Sequence, residues 1–170
     1  MRLYRGKIEI IADEVIVNLC REDSITVANV AEAKLDVEAV LKEYLRLERD
    51  MVEEAKNRME VRGLGYSNLG RVKGQVAKER GQPAQDDAVP YLVDQILNIL
   101  FHSANVDEIF AEDTALRQEI TNILRRNMDV ESDLDREVRS KIKNLQEGTS
   151  TFDVEYERVM EQIKRRKRLS

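Results

Sequence analysis

The sequence predicts an all-α protein built from two antiparallel helical hairpins, a glycine-containing basic connector between them and an amphipathic helix at the C-terminal end. Three observations carry that reading. Of the 170 residues, 42% are hydrophobic and 36% charged, but only 5% are aromatic and two are proline, a composition of long solvated helices with aliphatic seams rather than of a β-sandwich. Apolar residues recur every three to four positions through most of the chain, which is the helical period. Five of the seven glycines and both prolines fall between Gly63 and Pro90, so the punctuation is concentrated at one place. The implied division is 1–62 for the first hairpin, 63–86 for the connector and 87–170 for the second hairpin with the last helix.

Taken in order, a basic leader of Arg2, Arg5 and Lys7 precedes a helix from about Ile8 to Cys20. Its stripe is Ile8, Ile11, Val15, Ile16 and Leu19. A strand competes because of the β-branched content, but a period of two would put Glu14 on the apolar face. Arg21 to Thr26 reads as a polar turn. Asn29, three residues before Glu32, has the spacing of a helix cap and opens a second helix reaching about Arg62. At 1.5 Å per residue that helix is about 45 Å long, more than a compact domain of this size needs. Its seam of Val37, Leu41, Tyr44, Leu47 and Met51 is therefore expected to meet a partner chain.

Gly63, Gly65 and Gly70 stop that helix. Asn68 and Gly81 then bracket a short basic helix, and Asp86 or Asp87 is placed to cap the next one, with Pro90 in its first turn. Val89, Val93, Ile96, Leu97 and Leu100 form its stripe. A loop from His102 to Glu112 leads to a fourth long helix through Leu116, Ile120, Leu124, Leu134, Val138 and Ile142, closing near Gly148. Thr149 or Ser150 caps a last helix with the stripe Phe152, Tyr156, Val159, Met160 and Ile163. Asp13-Glu14-Val15-Ile16 also matches Asp94-Gln95-Ile96-Leu97, and Val37, Val40, Leu41 and Leu45 match Ile120, Ile123, Leu124 and Met128. Internal duplication and shared helical periodicity both account for these pairs.

Charge and reactive groups narrow the functional classes. The net charge is −5, yet Arg62, Arg71, Lys73, Lys78 and Arg80 stand against Glu79 alone in the connector, and Lys164, Arg165, Arg166, Lys167 and Arg168 end the chain. With Tyr66 among them, the connector cations have the mixture that stacks a base and contacts phosphates. The bland alternative is that they dock on the acidic remainder. Gly63-x-Gly65 is followed by no strand and no Gly-Lys-Ser/Thr, so neither a dinucleotide fold nor a phosphate-binding loop is implied. His102, Asp107, Glu108, Glu112 and Asp113 supply an imidazole and four carboxylates, but without the Glu-x-x-His spacing of helical metal sites; the simpler reading has Asp107 and Asp113 capping helices while Ile109 and Phe110 anchor the loop. Tyr4 with Arg2 and Arg5 offers a small anion contact or a leader packed on the bundle. The single cysteine, Cys20, has only Arg21 beside it, which gives no nucleophile and no intramolecular disulfide and points to a reducing, cytoplasmic setting. No run of about 18 apolar residues occurs, so membrane insertion is not expected.

Nearly the whole chain resembles a bacterial family known as domain of unknown function number 507. The likeness lies in Met1-Arg2-Leu3-Tyr4-Arg5-Gly6-Lys7, the run from Leu35 to Arg46, Arg62-Gly63-Leu64, Leu69-Gly70-Arg71, His102-Ser103, the run from Asn105 to Asp113, and the run from Ile142 to Thr149. The resemblance implies a bacterial, cytosolic, helical protein and carries no activity. The expected function is a non-enzymatic protein–protein interaction or assembly module, self-associating as a homodimer or binding another protein, with neither cofactor nor metal. The alternative is RNA or DNA binding through Arg62, Tyr66, Arg71, Lys73, Lys78 and Arg80 together with Lys164, Arg165 and Arg166.

Overall fold

The computed structural model describes residues 1–83 and 88–169, with no account of the side chains of residues 131 and 132. The candidate caps Asp86 and Asp87 lie outside the described residues. The chain is predominantly helical: α1 (Ile8–Arg21), β1 (Ile25–Val27), α2 (Val30–Arg62), α3 (Leu69–Arg80), α4 (Ala88–His102), β2 (Val106–Ile109), α5 (Asp113–Met128), α6 (Glu131–Lys141) and α7 (Ser150–Arg166).

Local chemistry sets the ends. The Asn29 side chain accepts from the Glu32 N–H at 3.1 Å, and Gly63, at φ 63°, closes α2 while the Leu64 N–H folds back to the Met59 carbonyl at 2.9 Å. Thr149, not Ser150, caps α7 by accepting from the Phe152 N–H at 3.2 Å. Asn68 stands at the start of α3 without capping it, because its side chain donates instead to the Gly65 carbonyl at 3.2 Å. Glu112 rather than Asp113 occupies the start of α5, leaving Asp113 to bind Arg117 in the first turn at 2.6 Å.

The two expected hairpins do not form separate cores. Helix α1 packs on α2 and α5, α2 on α4, and α4 on α5. One cluster joins Ile11, Val15, Leu41, Leu92, Ile96, Ile120 and their neighbours from both halves. The stretches expected to be turn and loop contribute a two-stranded antiparallel ribbon that pairs Ile25 with Ile109, Thr26 with Glu108 and Val27 with Val106. Strands of three and four residues are too short for alternation to register, although Ile25 is buried and Thr26 exposed as a half-buried strand requires. Nearby, Asp36 accepts from the Ser103 hydroxyl and from Asn105 Nδ2 at 3.0 Å, tying the start of α2 to the turn before β2.

The fourth helix is not continuous. It breaks at Asp129, where ψ turns to 53°. Leu116, Ile120, Ile123 and Leu124 enter the central core, whereas Leu134, Val138 and Ile142 face α7 in a second cluster with Phe152, Val159 and Ile163. A straight rod could not present its stripe to both. The other half solves the same problem without a break: the distal part of α2 carries Met51, Ala55 and Met59 against Val72, Val76 and Ala77 of α3. Both halves open in the order helix, strand, helix, with starts at Ile8 and Ala88, Ile25 and Val106, and Val30 and Asp113; the first half then adds α3, and the second adds α6 and α7.

Candidate interaction surface

The seam expected to meet a partner is consumed within the chain. Val37, Leu41 and Tyr44 lie in the central core and Met51 in the α2–α3 cluster, all buried, while Leu47 is half-buried. Tyr44 rests against Tyr91 with ring centroids 6.0 Å apart, and burial together with Glu48 keeps its phenol protonated well above the usual tyrosine range. The short basic helix α3 covers distal α2, which removes the surplus of apolar positions.

That docking also uses much of the connector's charge. Lys73 binds Glu48 at 2.7 Å with both side chains only 20% exposed, and Arg80 binds Glu54. Arg58 bridges the helices, reaching Glu54 at 2.5 Å and Glu79 at 2.7 Å. Its guanidinium is the leading cause holding both of those carboxyls below the usual carboxylate range. Arg71 donates to the Asn68 side chain at 3.1 Å, while Arg62, Arg71, Lys78 and Tyr66 all face solvent. The connector residues thus divide into a docked pair, Lys73 and Arg80, and an outward group.

The C-terminal cations are likewise partly engaged, and the end of the chain is folded on the body. Arg166 and Lys167 both hold Glu137 of α6, Lys167 at 2.6 Å, and Lys164 sits 5.4 Å from the Tyr4 ring centroid. Arg165 is exposed. Leu169 is buried beside Tyr4, and the Gly6 N–H donates to its carbonyl at 3.4 Å. The leader and the end of the chain therefore form one latch, with Tyr4 buried in it rather than offered to an anion.

One end of the α2–α3 pair has a different character. Val61 is 87% exposed and Tyr66 73%, on either side of the Gly63 turn and flanked by Arg62 and Arg71. The turn places them: Gly63 in the left-handed region reverses the chain, and the one-turn helix at Tyr66–Asn68 leads it back along α2. Val61 lies off the apolar stripe of α2. The only signal in the sequence was a valine beside Arg62 at the end of a polar helix face.

The acidic loop divides differently from a metal site. His102 Nδ1 meets the Asn98 carbonyl at 2.7 Å, and Asp107 and Glu108 point outward from β2. Arg117 takes up Asp113 and also reaches Asp94 at 2.5 Å. Among the described residues no group of three or more His, Cys, Asp or Glu is placed to hold a metal ion. Ile109 packs on the core, as an anchor would, but Phe110 is exposed. The Cys20 thiol is half-buried, and burial pushes its pKa up, away from activation. No helix among the described residues is long and apolar enough to cross a membrane.

Compared with known proteins, residues 1–169 match the model of a family described as "Protein of unknown function (DUF507)". No curated protein matches the chain.

Proposed function

We propose, for a chain that belongs to the DUF507 family, a non-enzymatic assembly role in which the α2–α3 tip of one copy docks on the acidic surface of another. The observation that carries this reading is Val61, exposed at 87% beside Tyr66 at 73% on the end of a packed helical pair. Burying a valine contributes about 1.5–3 kcal/mol, and a tyrosine adds a large, stiff surface with a polar tip. Arg62 and Arg71 supply a cationic rim on a protein of net charge −5, which makes a second copy electrostatically suitable. The contact is head-to-tail in kind, since two cationic tips repel each other. The lone cysteine fits work in a reducing, cytoplasmic compartment.

Light scattering and sedimentation across a concentration series test it. Mass should rise with concentration, fall with added salt, and stay at the monomer value in V61D and Y66D, whose folds should be intact because both positions are exposed. A wild-type chain that remains monomeric throughout would refute self-assembly. The same tip also has the aromatic and cations of a nucleic-acid contact. With Lys73 and Arg80 already held by Glu48 and Glu54, that reading rests on fewer charges. Salt-sensitive fluorescence anisotropy with a mixed-sequence oligonucleotide, lost on neutralising Arg62, Arg71 and Lys78, would favour it over assembly.

A further inference from the structure

Away from the tip, a groove of about 540 Å³ opens between the N-terminal leader and the middle of α2. Four of its eight lining residues are cations, Arg5, Lys42, Arg46 and Arg49, against the single carboxylate of Glu43. Two of these cations are already engaged: Lys42 binds Glu38 at 3.2 Å, and Arg46 binds Glu43 at 2.6 Å and Asp50 at 2.8 Å. Arg5 and Arg49 form no ion pair among the described residues. Two guanidinium groups outside any ion pair therefore line one concave surface, whose single carboxylate, Glu43, is already held by Arg46. Ile8, Ala39 and Leu45 supply apolar lining. Ile8 is also the first residue of the 14-residue helix α1, whose start has no side-chain cap and carries the positive end of the helix dipole. A smaller cavity of about 210 Å³ shares Arg5 and Leu45 and adds Arg2 and Lys164.

From this arrangement we infer that the groove binds a small phosphate-bearing ligand, its phosphate held by Arg5 and Arg49 and its body laid on Ala39 and Leu45. Guanidinium groups suit phosphate because their planar donors match its oxygens in pairs. The volume lies within the range of small-molecule sites, roughly 300–1,000 Å³. A long polyanion fits less well, because Glu38, Glu43, Asp50 and Glu161 stand around the two cavities. Beyond the groove its further phosphates would meet those carboxylates within a screening length of about 8–10 Å.

Isothermal titration of the full chain with inorganic phosphate, pyrophosphate and phenyl phosphate tests the inference, with thermal shift as a second readout. Saturable binding is expected, tighter for phenyl phosphate than for inorganic phosphate because the apolar lining contributes. R5Q combined with R49Q should weaken it by about tenfold or more, as for the loss of hydrogen bonds to a charged group. R136Q, a change at an exposed arginine on α6, should leave it intact. R5K with R49K keeps charge and fold but removes the planar donors, so it should bind more weakly than wild type. The inference is overturned by absence of saturable binding with all three probes, by equal affinity in either double variant, or by an oligonucleotide that binds while the small phosphates fail to compete. None of these outcomes depends on the tip, since Val61 and Tyr66 do not line the groove.

Discussion

Replacing Gly6 with alanine should undo the latch between the two ends of the chain. A β-carbon at this position would lie 1.6 Å from the Arg168 carbonyl oxygen, 2.6 Å from its carbonyl carbon and 2.9 Å from the Leu169 Cα. All three are backbone atoms, so no side-chain rotation relieves the overlap. Against an ordinary non-bonded separation of about 3.5 Å, the C-terminal segment must retreat by roughly 2 Å. That distance takes Leu169, now buried beside Tyr4, out of its cluster. Burial of a leucine side chain contributes about 1.5–3 kcal/mol, which sets the expected loss. With a urea slope of about 2 kcal/mol per molar, the unfolding midpoint should fall by about 1 M. The cause can be isolated with a double-mutant cycle in which the second change deletes residues 168–170. The deletion alone should cost a similar amount, and G6A on top of it should add less than about 0.5 kcal/mol, because the atoms it strikes are gone. A neutral G6A in the full chain, or one equally damaging in the shortened chain, would refute the close-approach argument.

Other consequences can be measured in the same way. K73A should cost about 1–3 kcal/mol by chemical denaturation, since it strands a Glu48 carboxylate whose Oε1 is already buried without a hydrogen-bond partner; K78A, at an exposed position, should stay within about 0.5 kcal/mol. N29A should lose about 1 kcal/mol with its cap on Glu32. Glu54, Glu79, Asp135 and Glu137 all have carboxyl pKa values lowered by hydrogen-bonded partners, so the unfolded chain binds more protons than the folded one in acid. Their stabilisation should be complete above the ordinary carboxylate range near pH 4–5 and disappear as pH falls through the lower folded values; a denaturation midpoint that stays flat on acidification would contradict it.

The sequence made the elements easier to read than their neighbours. Periodicity locates α1, α2, α4, α5 and α7 because each carries a stripe of at least three turns, and Asn29, Gly63, Gly81 and Thr149 mark ends because their chemistry is local. The break at Asp129 carried no Pro or Gly to announce it; it follows from the need to aim Ile123 and Leu134 at different cores, which is tertiary information. The β-ribbon was equally hidden, as its few rungs join positions far apart in sequence. Among functional residues, the cations were visible but their partners were not. Glu48 and Glu54 looked like ordinary solvated positions of a polar helix face until α3 folded over them. An arginine on a charged helix face, such as Arg49, carries no signal of a site until the leader is folded beside it.

The assignment of the α2 seam shows how an apolar count can mislead. A helix of 33 residues exposes more stripe than one antiparallel neighbour covers, and a partner chain is one way to cover the excess. The fold instead divides the stripe by depth: Val37 and Leu41 face α1 and α4 in the central core, and Met51, Ala55 and Met59 face α3. The α5–α6 rod meets the same demand with a bend and α7. Once each stripe is covered, the residues left for recognition are those off it, such as Val61, and those on the turn, such as Tyr66. An interface built from them disturbs no core contact, so the chain can gain or lose a partner there without unfolding. Substitutions at the tip should therefore separate association from stability, whereas substitutions along Val37, Leu41 and Met51 should change stability first.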